Sequence, residues 1–234
     1  MQFDILTLFP ESFSSYLHSS ILKRAQARGH LVVRFHNFRD AATDRHKTVD
    51  DKPYGGGAGM VLKIEPIFKT LKKIRRKKNS RVILLYTQGT PFTQMEARRL
   101  TTYDQIVLLC GHYEGFDERV TKLVDEQISI GSYVLTSGEL PAMVMVDAVT
   151  RLLPGVLGDD QSSVDETFTA DEKNFIEYPH YTRPEIFHPT KEKTWRVPKI
   201  LLSGNHAAIS TWRTEERRKR TARYLRKHKK RPEP

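Results

Sequence analysis

The chain has 234 residues, of which 38% are hydrophobic and 29% charged, and this length allows one large domain or two. Its 39 Lys and Arg outnumber its 28 Asp and Glu, which gives a formal net charge of +11. The excess of cations favours a polyanionic partner, either nucleic acid or an acidic membrane face, although a basic tail on a soluble protein would give the same composition. A single cysteine, Cys110, excludes an intramolecular disulfide and argues against a cysteine-based metal cluster.

Neither a membrane span nor a signal peptide is predicted. No apolar run approaches the roughly 20 residues that a membrane helix needs. Residues 1–11 contain an early acid and lack a basic region, so they are not typical of a signal peptide and predict a first buried strand. We therefore expect a cytoplasmic protein with no membrane partner.

The N-terminal region predicts a β-α-β unit. Residues 3–9 form a strand, Pro10 begins a helix that runs to about Arg28, and residues 31–35 form a second strand. This order indicates an α/β fold, with a parallel sheet and helices on both faces. Further along the chain, strands are predicted at residues 81–86 and 106–110, a loop at 87–91, and helices at 64–77, 93–100, 118–124 and 141–153.

Residues 39–60 form a polar, glycine-rich segment that is too polar for a core and too rich in glycine for a helix. Gly55, Gly57 and Gly59 have the spacing of Rossmann-type methyltransferases, but they do not follow a hydrophobic strand as that motif does. A phosphate-binding P-loop is excluded because no Gly-Lys-Ser/Thr sequence follows the glycines. Besides the Rossmann type, two interpretations remain: a flexible loop that closes over an RNA substrate, and an ordinary surface loop.

Two other loops are candidates for a single binding site. Residues 109–119 and residues 130–142 each continue an apolar strand into a glycine-containing loop. Where few large side chains cover the backbone, its N–H and C=O groups are exposed and can bind a purine ring or a small zwitterion. The alternative is a plain strand-turn-helix junction.

The chain changes character at Pro154. Residues 154–176 are polar and lack periodicity, so they predict an interdomain linker between a catalytic domain at 1–153 and a small basic domain at 177–234. A long helix from about Ala207 carries a large share of the cations, with two aromatic residues interleaved. This pattern favours a nucleic-acid-binding helix over a solubilising tail.

Motifs of one known family occur in this chain in the family's order, at residues 8–11, 44–46, 50–60, 110–119, 129–135, 138–142, 154–158, 179–184 and 201–206. Together they resemble the bacterial tRNA (guanine-37-N1)-methyltransferases, the TrmD family of the SPOUT class, over nearly the whole chain. The resemblance implies a C-terminal trefoil knot in the sheet, which general topology rules would not predict, followed by a small α-helical C-terminal domain. It also implies a homodimer with its active sites at the subunit interface, and a C-terminal domain that binds the tRNA anticodon stem-loop.

The resemblance further implies S-adenosylmethionine as the methyl donor, bound by the loops of the knot. The implied donor-binding residues are Tyr86, Gln88, Gly111, Tyr113, Glu114, Gly115, Ile130, Gly131, Ser132, Tyr133, Val134, Leu135, Gly138 and Pro141. The implied substrate-binding residues are Arg45, His46, Asp50, Tyr54, Gly55 and Gly59. His112, His180 and His188 lack ligand spacing, so no protein metal site is assigned. The family's Mg²⁺ requirement would act through carboxylates or the RNA.

The implied reaction is methyl transfer to N1 of guanosine 37, 3′ of the anticodon. N1 carries a proton in neutral guanine, so a base must remove it while a cation or hydrogen-bond donor stabilises the charge on O6. By register with the family, Glu166 is the base and Arg151 is the O6 partner. The family usually has Asp at the position of Glu166, and the neighbouring Asp165 is the alternative base. Thr87 is a second departure, since the family mostly has Pro there.

Two rival functions stay open. One is a SPOUT methyltransferase that acts on another RNA base, which mapping of the methylated nucleotide would distinguish. The other is a non-catalytic tRNA-binding homologue that keeps the scaffold, since a fold does not guarantee its function. The presence of Arg151 and of both donor loops argues against the second rival.

Overall fold

The computed structural model describes residues 1–158, 166–168 and 176–228. The chain divides into two compact units, Met1–Asp160 and Gln161–Pro234. Most of the predicted linker, residues 154–176, lies outside the described residues. The predicted division into 1–153, 154–176 and 177–234 therefore stays a prediction.

The first unit is an α/β domain built on a five-stranded parallel sheet. The strands of the whole unit are, in chain order, β1 (Gln2–Leu6), β2 (Val32–His36), β3 (Asp50–Asp51), β4 (Val61–Leu62), β5 (Ser80–Pro91), β6 (Gln105–Leu109) and β7 (Glu126–Ser129). The sheet has the strand order β2-β1-β6-β5-β7, and its neighbouring strands pair in parallel. The short strands β3 and β4 form a separate antiparallel pair.

Helices and 3-10 helices connect these strands. The α-helices of this unit are α1 (Ser14–Leu17), α2 (Ser20–Ala27), α3 (Ile64–Lys73), α4 (Gln94–Leu100) and α5 (Glu139–Thr150). The 3-10 helices span Pro10–Phe13, Phe38–Ala41 and Glu118–Leu123. Thr93 caps α4 as its sequence predicted, since its side chain accepts a hydrogen bond from the Glu96 N–H.

Three predicted elements have wrong boundaries. The single helix predicted from Pro10 to Arg28 is broken at His18 and Ser19, where Ser19 is extended, and Ser20, the first residue of α2, has a positive φ of 40°. Helix α3 ends at Lys73 and not at Lys77, so the basic residues 75–77 lie beyond it. Helix α5 begins at Glu139, so Pro141 lies in its first turn, where a helix does not need the N–H that proline lacks.

The loop predicted after Tyr86 is part of β5. Strand β5 pairs with β7 through Leu85, shifts register, and pairs again at Thr90, with Ile128 as the partner on both sides of the shift. Gly89 allows β5 to pair with β7 again, since a Cβ at this position would lie 2.5 Å from the Ile128 nitrogen. At this irregularity, residues 86–88 leave the hydrogen-bonded ladder between β5 and β7.

Side chains of the sheet alternate between two hydrophobic cores, as expected for strands covered on both faces. Along β6, Ile106 and Leu108 lie in one core, whereas Val107 and Leu109 lie in the other. Residues of α2, α4 and α5 complete the first core, and residues of α3 complete the second. The predicted α/β fold with a helix-covered parallel sheet is confirmed, and the knot stays a prediction.

A buried polar network crosses the sheet beside the second core. Asp4 is 1% exposed, and its carboxylate accepts hydrogen bonds from His36 Nε2 at 2.7 Å, Gln2 Nε2 at 2.6 Å and Gln105 Nε2 at 2.7 Å. Burial by itself raises the pKa of Asp4, but the three hydrogen bonds outweigh burial and hold the pKa below its ordinary value. The network therefore favours the ionised carboxylate.

Acid is expected to destabilise the first unit through Asp4. Because the folded-state pKa of Asp4 is lowered, its stabilisation is present above the ordinary value of about 4 and is lost as the pH falls through the lowered pKa. Asp4→Asn removes this pH dependence and costs about 1–3 kcal/mol at neutral pH, since an amide cannot accept all three bonds. Urea unfolding of both proteins between pH 2.5 and 7 measures this. Equal slopes of unfolding free energy against pH would contradict the prediction.

The second unit combines a β-hairpin with one long helix. Strands β8 (Ile186–Thr190) and β9 (Lys193–Arg196) pair antiparallel, a 3-10 helix spans Lys199–Leu202, and α6 spans His206–His228. The sequence predicted a small α-helical domain and did not predict the hairpin. No helix in the described part of the chain is long and apolar enough to cross a membrane.

The segment before the hairpin lies along α6. The buried Thr221 hydroxyl accepts a hydrogen bond from the Ile176 N–H at 3.1 Å. The guanidinium groups of Arg213 and Arg217 lie 4.7 Å and 5.3 Å from the centre of the Tyr178 ring. These contacts hold residues 176–178 against α6.

Candidate active site

A cleft of about 270 Å³ opens at the carboxyl ends of β6 and β7, beside the irregularity of β5. Ligands of open α/β sheets bind at this edge, where the loops that follow the strands converge. The volume is near the lower end of the range for small-molecule sites, about 300 to 1,000 Å³. The walls of the cleft are the β5 irregularity, the 111–116 loop and the 130–138 loop.

The predicted donor-binding residues converge on this cleft, with two exceptions. Gln88 and Ser132 are exposed and lie outside its lining. The predicted residues that line it are Tyr86, Gly111, Tyr113, Glu114, Gly115, Ile130, Gly131, Tyr133, Val134, Leu135, Gly138 and Pro141. His112, Phe116, Thr136 and Ser137, which lie within the two predicted loops, also line the cleft, as do Leu85 and Thr87 of β5 and Ile128 and Ser129 of β7. The two glycine-containing loops thus form one site, as their sequences suggested, and their binding roles remain predictions.

Backbone contacts join the two loops. The Gly138 N–H donates to the Gly111 carbonyl at 2.8 Å, and His112 and Ser137 form an isolated antiparallel bridge. A Cβ at Gly138 would lie 2.7 Å from both Cys110 Cα and the Gly111 nitrogen, so the contact requires glycine. Since Gly138 has an ordinary φ of −84°, close approach is the reason for glycine here.

A buried carboxyl group lies at the base of the 130–138 loop. Glu139, the first residue of α5, is 3% exposed, and the Thr7 hydroxyl at the end of β1 donates to its Oε1. Burial, followed by the proximity of Glu139, raises the pKa of the Cys110 thiol well above its ordinary value, so this cysteine stays protonated. Sequence reasoning missed Glu139, because an acid after a glycine-rich loop looks the same whether it is buried or solvated.

The segment with Gly55, Gly57 and Gly59 lies against the wall of the cleft. The Glu114 N–H donates to the Met60 carbonyl at 3.0 Å, and a Cβ at Gly59 would collide with the Glu114 side chain. The segment follows no strand of the parallel sheet, and this geometry favours a loop beside the site over a Rossmann-type donor motif.

Comparison with known proteins assigns the chain to a family. The family model described as tRNA (Guanine-1)-methyltransferase TrmD matches residues 1–230. The chain belongs to the TrmD family. A relative from Carboxydothermus hydrogenoformans is 54% identical over 217 residues, which are 92% of this chain and 82% of the relative. A relative from Halalkalibacterium halodurans is 51% identical over 224 residues, which are 94% of this chain and 88% of the relative. Both are named tRNA (guanine-N(1)-)-methyltransferase, and the predicted enzyme class is confirmed.

The predicted substrate-binding residues of this TrmD chain lie outside the lining of the cleft. Arg45 and His46 occupy an exposed turn, in which the Asp44 carboxylate accepts hydrogen bonds from the N–H groups of His46 and Thr48. Tyr54 is fully exposed and is followed by Gly55, which has a φ of 84°. Asp50 is in β3, where its partner on β4 is Leu62. Their roles toward the RNA remain predictions.

The predicted catalytic residues of this TrmD chain belong to different units. Arg151 is half-buried at the C-cap of α5, and its N–H donates to the Asp147 carbonyl at 3.1 Å. Glu166 is half-buried in the second unit, beside Thr167, whose hydroxyl accepts from the Glu177 N–H at 3.2 Å. Asp165 lies outside the described residues. Within the described ranges, no group of three or more His, Cys, Asp and Glu side chains could hold a metal ion.

Proposed function

We propose that this chain transfers a methyl group from S-adenosylmethionine to N1 of guanosine 37 in tRNA, 3′ of the anticodon. One observation carries the proposal: in a chain of the TrmD family, two glycine-containing loops meet through backbone contacts and form a cleft at the carboxyl ends of β6 and β7, beside the irregularity of β5. Since tRNA is the substrate, we place the reaction in the cytoplasm.

The chemistry of the cleft fits the proposed donor. S-adenosylmethionine supplies a methyl group activated by a sulfonium, and it carries an adenine and a zwitterionic amino acid. Small residues of the 111–116 and 130–138 loops leave backbone groups open for an adenine ring. Glu114 is the one acidic side chain among the described residues that line the cleft, and it would favour a cationic ligand. Tyr86, Tyr113 and Tyr133 supply the apolar surface that purine rings bind.

Glu166 and Arg151 are the proposed reacting groups toward guanine. The Glu166 carboxylate would take the proton from N1, and the permanently charged Arg151 guanidinium would stabilise the negative charge that develops on O6. Asp165 is the alternative base. Glutamate is one methylene longer than the aspartate of the family, and a misplaced base can cost about a hundredfold in rate. The described residues show no group that fits Mg²⁺, and no step of the proposal uses the ion.

The ends of α5 support a dimer with its active sites at the subunit interface. Gly138 lies at the cleft, whereas Arg151 caps the other end of α5, about 20 Å away at the rise of an α-helix. This distance exceeds the reach of an arginine side chain, so a complete site requires Arg151 from a second copy. Leu140 and Val144 are four residues apart on α5 and are 56% and 46% exposed, which gives the partner an apolar surface.

Helix α6 supports binding of the anticodon stem-loop by the second unit. Its 23 residues include eight Lys and Arg and two Glu. Such an excess of cations on one helix favours contact with the phosphates of a folded RNA.

Two transcripts of one tRNA, with guanosine or adenosine at position 37, test the proposed function. Labelled S-adenosylmethionine is expected to methylate the guanosine transcript alone, at N1. Equal methylation of both transcripts would place the target at another base. No methylation by a protein that binds both donor and tRNA would leave a binding protein as the function.

A further inference from the structure

The hairpin of the second unit presents an aromatic pair to solvent. Phe187 on β8 and Trp195 on β9 are register partners, so their side chains project from the same face of the hairpin. Their ring centroids are 5.9 Å apart, and the two side chains are 50% and 61% exposed. The two rings together form an apolar surface, which we call the aromatic face.

The aromatic face contributes little to the folding of its own unit. Of residues 186–196, Pro189 alone is half-buried and the other residues are exposed. A two-stranded hairpin is marginally stable by itself in water, and burial of its aromatic residues would be its main source of stability. Rings that remain exposed on such an element are available to a partner.

The surroundings of the aromatic face are cationic. Lys193 precedes Trp195 by two residues on β9 and so lies on the same face of the strand. Lys191 and Glu192 form the turn, and Arg196 ends β9 on the opposite face. Residues 176–228 contain 13 Lys and Arg against five Glu. The charge of this unit therefore complements a polyanion and opposes a cationic partner.

We propose that Phe187 and Trp195 stack on an unpaired nucleobase of the tRNA substrate, while Lys193 contacts the adjoining phosphate. Proteins bind unpaired RNA bases by stacking them on aromatic side chains and by pairing cations with the backbone. A pair of neighbouring rings beside a lysine provides both contacts at once. The inference rests on the proposed function, because it takes tRNA as the substrate, and it adds a contact made by the hairpin to those made by α6.

The double variant Phe187→Ala/Trp195→Ala tests the stacking contact in the full-length protein. Its affinity for tRNA is expected to fall about tenfold or more, which is the loss of one stacked base. Its affinity for S-adenosylmethionine and its melting temperature should match the wild type. The single variant Trp195→Phe should keep much of the wild-type affinity for tRNA, because phenylalanine also stacks on bases. Ile186→Ala is the matched control, since Ile186 lies on the opposite face of the same hairpin.

The salt dependence of tRNA binding separates stacking from a purely electrostatic effect. The slope of log Kd against log salt should be unchanged in the double variant and lower by about one in Lys193→Ala, which removes a phosphate contact. Wild-type tRNA affinity in the double variant would refute the stacking contact. A change in the oligomeric mass of the double variant would also refute it, because that result would assign the aromatic face to contact with a second copy. If the wild-type protein binds no tRNA, both the proposed function and this inference are refuted. If the wild type methylates tRNA and the double variant has the same tRNA affinity as the wild type, this inference alone is refuted.

Discussion

Gly138→Ala is expected to lower methyl transfer about a hundredfold, because the added methyl group separates the two loops of the cleft. Its Cβ would lie 2.7 Å from Cys110 Cα and from the Gly111 nitrogen, and these are backbone atoms that cannot rotate away. The hydrogen bond from the Gly138 N–H to the Gly111 carbonyl would break or lengthen. Affinity for S-adenosylmethionine, measured by calorimetry, should fall together with the activity.

Gly158→Ala is the matched control for Gly138→Ala. A Cβ at Gly158 meets no atom of the described residues within 4 Å, and no positive φ disfavours alanine there. Donor affinity and melting temperature should therefore equal those of the wild type. Because Gly138 also has an ordinary φ, a difference between the two variants measures close packing rather than backbone strain. Normal donor affinity in Gly138→Ala would show that the contact between the loops is not needed for binding.

Glu166→Gln is expected to slow the chemical step by about 10² to 10⁴-fold while it leaves donor and tRNA affinities near those of the wild type. Glutamine has nearly the same shape and still accepts a hydrogen bond, but it cannot take the N1 proton. Single-turnover methylation with saturating enzyme isolates this step from binding and from product release.

Asp165→Asn and Glu177→Gln are the comparisons for Glu166→Gln. Asp165→Asn should retain most of the activity if Glu166 is the base, and it should lose the activity if Asp165 is the base. Glu177 accepts a hydrogen bond from His180 in the same unit, so Glu177→Gln controls for the loss of one negative charge. A Glu166→Gln enzyme with wild-type single-turnover rate would remove Glu166 from the mechanism.

The sheet was predictable where local sequence determines structure. The apolar runs at residues 81–86 and 106–110 predicted β5 and β6, because strands covered on both faces need apolar side chains on both. The continuation of β5 to Pro91 was not predictable, since it depends on pairing with β7 and on the approach of Gly89 to the Ile128 backbone. The broken helix before Ala27 carries neither glycine nor proline at the break, so its sequence looked continuous.

The site was predictable in its loops but not in the residues that support them. Glycines and small side chains mark the 111–116 and 130–138 loops directly. The bond between Thr7 and Glu139 joins residues 132 positions apart, and no local pattern signals it. The hairpin at residues 186–196 was missed because its turn contains no glycine or Asn-Gly pair, the usual sequence sign of a tight turn.

Photolabelling with radioactive S-adenosylmethionine, followed by peptide mapping, tests whether the two glycine-containing loops bind the donor. Ultraviolet light links the bound donor to side chains that touch it, and the label can be located without any assumption about the RNA. Label is expected on peptides that cover residues 111–116 and 130–138, and it should be lost in Gly138→Ala. Label on residues 55–59 and none on the other two segments would contradict donor binding by the two loops and place the donor in the glycine-rich segment.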